Sequence, residues 1–533
     1  MKAELRDSLE NLFPDSVVGE KPCISMEIDV ARGGTVAVHV LLTELAGGAF
    51  RLRVARSGEA VKEARWFRLI DVPVEENTGL FGFTTGNKAW AENTQNPHVV
   101  RQAPFRTYDA MEPLPAGEVG ASGPTLAVRL HVPIKLDARV GKYDYVLTVE
   151  GDGGRAEFKL TVRIHKAKVR PVGEDSMQVT NWFSFENIAK RHGLELWSDA
   201  YWPMLLQYAK LMAHSRQNTF MLPLTLIFTK TPEGPVLEVK RLKRIVDIFT
   251  KAGLYYIEGG HVAGRTGGSW DAKTFDLGLA PVAATSVEGN AILASICDQL
   301  MDAMDKYGWH DRWIQHVTDE PIAANAADYR ILTGMVRKYM PSIPILDATM
   351  DPKLVGSVDY WCPQVQEYQR HREEFEAQRD LGDQVWYYTC CFPGGPWLNR
   401  LLDQELLRPA LLGWAGALFD LDGFLHWGFN HYRDDQDPFK MSVVPNWGGA
   451  NNSLPGGDTH IAYPGKDGPW SSLRLESQRE GFEDAELLFA LKSRPAKAVL
   501  AMAVQGFDQH VKDVRTFRAA RKALLEAADR VRT

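Results

Sequence analysis

The stretch WIQHVTDEP, Trp313 to Pro321, decides the fold: an apolar run with the look of a strand ends on two adjacent carboxylates, Asp319 and Glu320, shortly before helical periodicity resumes. Strand, polar end, then helix is the repeating unit of a parallel barrel, and the carboxyl ends of barrel strands are where reactive groups collect. The tripeptide Asp-Glu-Pro is also an ordinary way to begin a helix, with Asp319 as N-cap and Pro321 in the first turn. The flanking sequence has to choose between these readings.

Seven further runs read as strands: MQVTNWF from Met177, NTFMLPLTL from Asn218, LYYIEGG from Leu254, IPILDA from Ile343, VDYWCPQ from Val358, QVWYYTC from Gln384 and GFLHWGFN from Gly423. Helical periodicity fills most of the gaps, as in YWPMLLQYAKLMAHS and AILASICDQLMDAMDKYG, while the link between the fifth and sixth strands has little. Eight alternations predict a (β/α)8 TIM-type barrel over residues 169–472. A doubly wound open sheet is the competing fold, but no Gly-rich phosphate loop follows any strand, which argues against a nucleotide-binding version of it.

On either side the pattern changes. Residues 1–168 alternate without helix signals, at CISMEIDV, GTVAVHVLL, AFRLRVAR, PTLAVRLHV, KYDYVLTVEG and AEFKLTVRI, and predict an N-terminal antiparallel β-sandwich. After the eighth strand, a tract rich in Gly, Asn and Pro runs from Asp434 to Trp470 and carries Trp447, Tyr463 and Trp470. A long aromatic loop at a barrel mouth shapes a site. Residues 473–533 read as a C-terminal helical segment packed on the barrel.

Composition narrows the function. With 45% hydrophobic and 24% charged residues and a formal net charge of −7, the 533-residue chain is globular and has no basic surface for nucleic acid or anionic lipid. Its 15 Trp, 16 Tyr and 23 Phe suit sugar binding, because the C–H faces of pyranose rings pack on aromatic rings. No run is long enough to span a membrane, and the N-terminus has no secretory-type apolar stretch, so a cytoplasmic protein is expected unless that end was processed. Five cysteines without CxxC spacing point to neither a disulfide framework nor a zinc site, and Cys390 and Cys391 read as small buried strand residues.

The strand ends supply the candidates in order: Asn181, Thr225, Glu258 with His261, Asp319 with Glu320, Asp347, Gln364, Tyr387 with Tyr388, and His426, Trp427 and Asn430. His261, His426 and His431 come from separate places, so no metal and no cofactor are predicted. No GxSxG elbow is present. Glycoside cleavage needs a proton donor for the leaving oxygen and a group that captures the oxocarbenium-like centre. In one route a second carboxylate about 5 Å away is the nucleophile, and Glu258 or Asp347 would provide it. In the other the substrate's own 2-acetamido oxygen attacks, and the protein needs only an acid and a carboxylate to hold the acetamido N–H. Glu320, the longer side chain, suits the acid, and Asp319 the ionised partner.

Four segments carry a resemblance: TDEP at Thr318–Pro321, WYYTCCFPGGPWLN from Trp386, GFLHWGFNHY from Gly423 and, above all, GGDTHIAYPGKDGPWSSLRLESQREGFEDAELL from Gly456. Over roughly its last two thirds the chain resembles glycoside hydrolase family 123 and the broad bacterial group that shares its catalytic domain. The resemblance implies a retaining, substrate-assisted β-N-acetylgalactosaminidase or hexosaminidase. Asp319 would be the polariser and Glu320 the general acid/base, and Tyr387 or Tyr388 would hold the acetamido oxygen. Trp427 is taken as the subsite floor from its position. Asn181, Glu258, His261, Asp347, Gln364, His426 and Asn430 complete the expected substrate-binding set. The expected partner is a glycan or glycoside, with homo-oligomerisation left open. The alternatives are a β-glycosidase of other specificity using Glu320 with a separate carboxylate nucleophile, and a non-catalytic carbohydrate-binding homologue.

Overall fold

A computed structural model describes residues 1–85, 95–446 and 452–531; Trp447 lies outside them. The N-terminal part is β-rich and forms two facing sheets. One runs in the order Lys2–Asp7, Thr35–Thr43, Leu126–Pro133, Arg65–Val74, Phe105–Leu114, all antiparallel. The other contains Ser25–Arg32, Gly154–Lys168, Gly141–Gly151 and Gly48–Arg56. Val38, Val40, Val128 and Leu130 of the first pack against Leu147, Val149, Leu160 and Val162 of the second.

Two features differ from the sequence expectation. Ser25–Arg32 pairs with Gly154–Lys168 in parallel, not antiparallel, register. More than 120 residues separate them along the chain, so no hairpin turn dictates their direction. The strand TVAVHVLLT is buried nearly throughout, not on alternate residues. Its outer face is covered as well: Leu41, with Leu69 and Met111, packs on Leu406 and Leu473 of the rest of the chain.

Beyond residue 168, eight short strands all pair in parallel. Their core segments are Gln178–Asn181, Thr219–Leu222, Tyr256–Gly259, Trp313–Gln315, Leu346–Ala348, Tyr360–Cys362, Gln384–Tyr388 and Gly423–His426. They form a five-stranded half-barrel sheet, ordered first, eighth, seventh, sixth, fifth, and a three-stranded sheet of the second, third and fourth. The expected single sheet is therefore divided at two seams. At one, Gln315 and Ile345 make an isolated parallel bridge; at the other, the Asn218 N–H donates to the Val179 carbonyl at 3.2 Å. Each strand places alternate residues on opposite faces. Phe220, Ile257, Trp313, Val385 and Phe424 face the helices, whereas Ile314, Leu346, Trp386 and Leu425 share a separate core on the other face.

The helix Leu473–Phe489, the start of the segment expected to pack on the barrel, is buried almost along its whole length. It crosses the helix Arg408–Leu418 at Gly413 and Gly481, where a Cβ on Gly413 would lie 2.3 Å from the Gly481 carbonyl oxygen and one on Gly481 2.0 Å from that of Ala410. The helix lacks a single apolar stripe because it also faces the sandwich: Arg474 pairs with buried Asp109 of the strand Phe105–Leu114 at 2.9 Å. Among the described residues no helix is long and apolar enough to cross a membrane.

Candidate active site

The strand inside WIQHVTDEP is only three residues long, Trp313–Gln315, and its alternation continues to His316. Trp313 turns outward and its indole N–H donates to Gln315 Oε1 at 3.0 Å; Ile314 and His316 turn the other way. The next residues are gripped from both sides. Val317 and Thr318 donate backbone N–H groups to the Asp347 carboxylate at 3.1 and 3.4 Å, and the Val317 carbonyl accepts from Val262 and Ala263. At Glu320 the extended path breaks, with φ +43°, a left-handed conformation that costs a non-glycine residue of order 1 kcal/mol. Arg265 clasps the bend, donating to the carbonyl oxygens of Asp319 at 3.0 Å and Glu320 at 2.6 Å. The following helix starts only at Ala326, after Asn325. Asp319 is therefore not an N-cap, and the helix-start reading is excluded.

Asp319 is exposed and Glu320 half-buried. The Tyr388 hydroxyl donates to Glu320 Oε1 in a short hydrogen bond. Burial of the carboxyl, and secondly the adjacent Asp319 charge, push the Glu320 pKa up to about 7, against the pull of Tyr388 and Arg265 in the other direction. Near neutral pH this carboxyl keeps a proton to give, as a general acid requires.

Beneath the pair lies a buried triad. His316 Nε2 meets Glu258 Oε1 at 2.5 Å and its Nδ1 meets Asp347 Oδ1 at 2.9 Å, with all three side chains fully buried. Burial alone would make the ring neutral, but the two carboxylates win and raise its pKa to about 9. Each carboxylate is saturated elsewhere too. Glu258 accepts from Thr180 Oγ1 and Trp182 Nε1, both at 2.7 Å, and Asp347 from the Tyr329 hydroxyl at 2.6 Å. Trp182 meets His261 and His316 edge to face at 5.3 and 5.4 Å, the two imidazoles lie tilted at 4.8 Å, and His261 Nε2 is buried without a hydrogen bond among the described residues. His261, His316 and Asp347 offer ligand atoms within 4.8 Å of one another. A metal would need His316 neutral with a free nitrogen, whereas both nitrogens face carboxylates and the ring is held cationic.

A second polar cluster gathers at the end of the eighth strand. The Trp427 indole N–H donates to Asp458 Oδ1 at 3.0 Å, and Asp458 Oδ2 has no hydrogen-bond partner among the described residues. Burial raises the Asp458 pKa to about 7. His426 Nδ1 accepts from Arg400 at 2.6 Å and from the Gly428 N–H at 3.0 Å, which leaves the proton on Nε2, 3.7 Å from Asp458 and otherwise unpartnered. Free donors and acceptors on buried groups are what a sugar hydroxyl would satisfy.

The expected substrate-binding set divides in space. Tyr388, His261, His426 and Trp427 stand at the two clusters. Tyr387 is separated from Tyr388 by strand alternation and donates to the Leu412 carbonyl at 2.8 Å in the helix-side core. Glu258 and Asp347 are occupied by His316. Asn181 Oδ1 accepts from Arg400 at 2.6 Å, and both ends of the Asn430 amide bind the Ser184 backbone, so each shapes the site from behind. Gln364 lies beside the site, its amide against Cys390 Sγ at 3.7 Å. Thr225 leaves the strand altogether, because Pro223 ends it and a short helix, Leu224–Ile227, follows. His316, Trp182, Arg265 and Asp458 were not singled out from the sequence. His316 stands inside the opening stretch, in step with Ile314, and that inward parity was the available signal; Asp458 lies in the block from Gly456.

Residues 266–491 match the family "Glycoside hydrolase 123, catalytic domain". Over 99% of its length the chain superposes on 97% of a family 123 glycoside hydrolase from Clostridium perfringens, solved in work on glycolipid glycan hydrolysis, with a TM-score of 0.72 and 12% identity. A Thermobacillus composti GH10 xylanase aligns with 58% of this chain and 96% of its own at 13% identity and a TM-score of 0.34, too low to bear on the fold. No curated protein sequence matches the chain. Residues 266–491 thus match a family 123 glycoside hydrolase catalytic domain, and the chain shares its fold with a family 123 enzyme over nearly its whole length.

Proposed function

We propose that this glycoside hydrolase is a retaining β-N-acetylgalactosaminidase or related β-N-acetylhexosaminidase that uses the substrate's 2-acetamido oxygen as its nucleophile. The observation that carries this reading is the occupation of Glu258 and Asp347 by His316. Both carboxylates that the neighbouring strand ends offered as nucleophiles are instead ligands of a buried imidazolium, while the adjacent Asp319 and Glu320 remain accessible. Glu320, its proton held near neutral pH, donates to the leaving oxygen. Asp319 accepts the acetamido N–H and balances the positive charge of the forming oxazolinium. The Tyr388 hydroxyl, already on Glu320, orients the acid. Trp427 forms the floor of the sugar subsite, with Asp458 and His426 taking hydroxyls. In this reading the eight parallel strands act as one (β/α)8 barrel spanning 169–472, braced by a sandwich over 1–168 and by helices over 473–533.

The free oxygen of Asp458 favours a second reading, in which that residue is a conventional nucleophile. A nucleophile must be ionised, and burial favours the protonated form of this carboxyl. A protonated Asp458 is better suited to donating to a hydroxyl. A series of aryl β-glycosides of N-acetylgalactosamine, N-acetylglucosamine, galactose and glucose tests the proposal. Turnover confined to the N-acetylated members, fastest with N-acetylgalactosamine, is expected; comparable turnover of the galactoside or glucoside would defeat it.

A further inference from the structure

The loop after the third parallel strand folds into a hairpin, Ala263–Arg265 against Phe275–Leu277, and its tip carries Trp270, 50% exposed. Arg265 joins this indole to the acid pair. Its guanidinium carbon lies 4.1 Å from the indole centroid and its Nε donates to the Trp270 carbonyl at 3.2 Å. The two terminal nitrogens of the same side chain are those that clasp the Asp319 and Glu320 carbonyls. The hairpin is anchored on the far side too. Asp328 of the helix Ala326–Tyr339 accepts from the Phe275 N–H at 2.9 Å and from Thr285 Oγ1 at 2.8 Å, and Asn325 donates to the Ala272 carbonyl at 3.2 Å. A large, half-exposed aromatic ring is thus held at a fixed place beside the acid, with a cation over one face. A half-exposed Trp outside every apolar cluster of the described residues contributes little to a core.

We propose that Trp270 is the platform for the leaving-group side of the substrate, stacking the apolar C–H face of a sugar ring on the reducing side of the scissile bond. This rests on the reading of Glu320 as the acid. An acid that protonates the glycosidic oxygen must stand beside the leaving group, so an aromatic ring tied to the same two backbone carbonyls stands beside it as well. Trp427, just past the eighth strand, then serves the ring being transferred and Trp270 the ring being released. Arg265 keeps the platform and the left-handed turn at Glu320 in one register.

The test compares kcat/KM of the wild type and Trp270→Ala on two substrates with the same transferred sugar: its methyl β-glycoside and a β-linked disaccharide with a hexose in the leaving position. The transferred sugar is whichever the wild type cleaves fastest in the aryl series. Loss of one stacked ring predicts about a tenfold fall on the disaccharide and less than about a twofold change on the methyl glycoside, with Trp270→Phe regaining most of the difference. Arg265→Lys, which loosens the acid turn and the platform together, should lower kcat/KM on both substrates, on the disaccharide more. Equal losses on the two substrates for Trp270→Ala would show that the indole acts only through Arg265 and would overturn the proposal, as would an unchanged disaccharide rate. A wild type preferring a sugar without the acetamido group would remove the proposed mechanism while leaving this comparison readable. A wild type that hydrolyses none of the glycosides would overturn both.

Discussion

Glu320 combines a left-handed backbone, a hydrogen bond from Tyr388 and a pKa raised to about 7, and each has a chemical consequence. The raised pKa makes the acid form the minority species above neutrality, so kcat/KM should fall as pH rises through about 7. Glu320→Gln should lower kcat by about 100-fold or more with little change in substrate Kd, and should abolish that alkaline limb. Activity near that of the wild type would remove the acid assignment. Tyr388 stabilises the ionised form of Glu320, so its loss must raise the Glu320 pKa further. Tyr388→Phe is therefore expected to move the alkaline limb to higher pH while reducing turnover, and a limb moved downwards would contradict the geometry. Both acids could be read from the sequence because they end an apolar run. The turn that exposes them could not, since Arg265, which holds it, comes from a loop more than 50 residues earlier.

At the level of elements, strand parity explains both what was readable and what was not. QVWYYTC could be recognised as a strand, but two adjacent tyrosines on it are indistinguishable until the partner core fixes which face is which. Trp386 and Tyr388 then turn towards the site, and Val385 and Tyr387 towards the helices. The strand ends offered Glu258 and Asp347 as nucleophiles, and only the inward parity of His316 shows why they are occupied. That clamp is a stability device as well. The folded pKa of His316, about 9, is above its ordinary value of 6.5, so its contribution is complete below about pH 6.5 and is lost as pH rises through about 9. His316→Ala would leave two buried carboxylates unpaired, with an expected cost of about 3–5 kcal/mol in denaturant unfolding at neutral pH. A cost below about 1 kcal/mol would mean that the triad carries no net charge pairing. The helix Leu473–Phe489 was readable as a helix but not as a central one, because its buried face is made of arginines and carboxylates that pair only in three dimensions.

Across the whole molecule, the two-part plan followed from periodicity: period-two alternation before residue 168, and strand with helix after it. What periodicity could not show is how closely the parts are joined. The buried Asp109–Arg474 pair crosses from the sandwich to the central helix, and Arg474 also donates to the Gly457 and His460 carbonyls at 2.8 and 3.0 Å, on either side of Asp458. The sandwich thereby braces the loop that carries one of the two polar clusters of the site, a role that composition cannot reveal. The parallel pairing of Ser25–Arg32 with Gly154–Lys168 was hidden for a related reason, since it is set by contacts remote in sequence.

The central claim is that the substrate supplies the nucleophile because the protein has committed Glu258 and Asp347 to His316. Fluorine on the acetamido methyl group withdraws electrons from the attacking carbonyl oxygen and leaves the sugar otherwise intact. The decisive measurement is kcat/KM for aryl β-glycosides of N-acetyl-, difluoroacetyl- and trifluoroacetyl-galactosamine. A steep, progressive fall along the series, by about tenfold or more at each step, is the predicted result. A flat series would mean that a carboxylate of the protein makes the bond to the anomeric carbon, and would contradict the account.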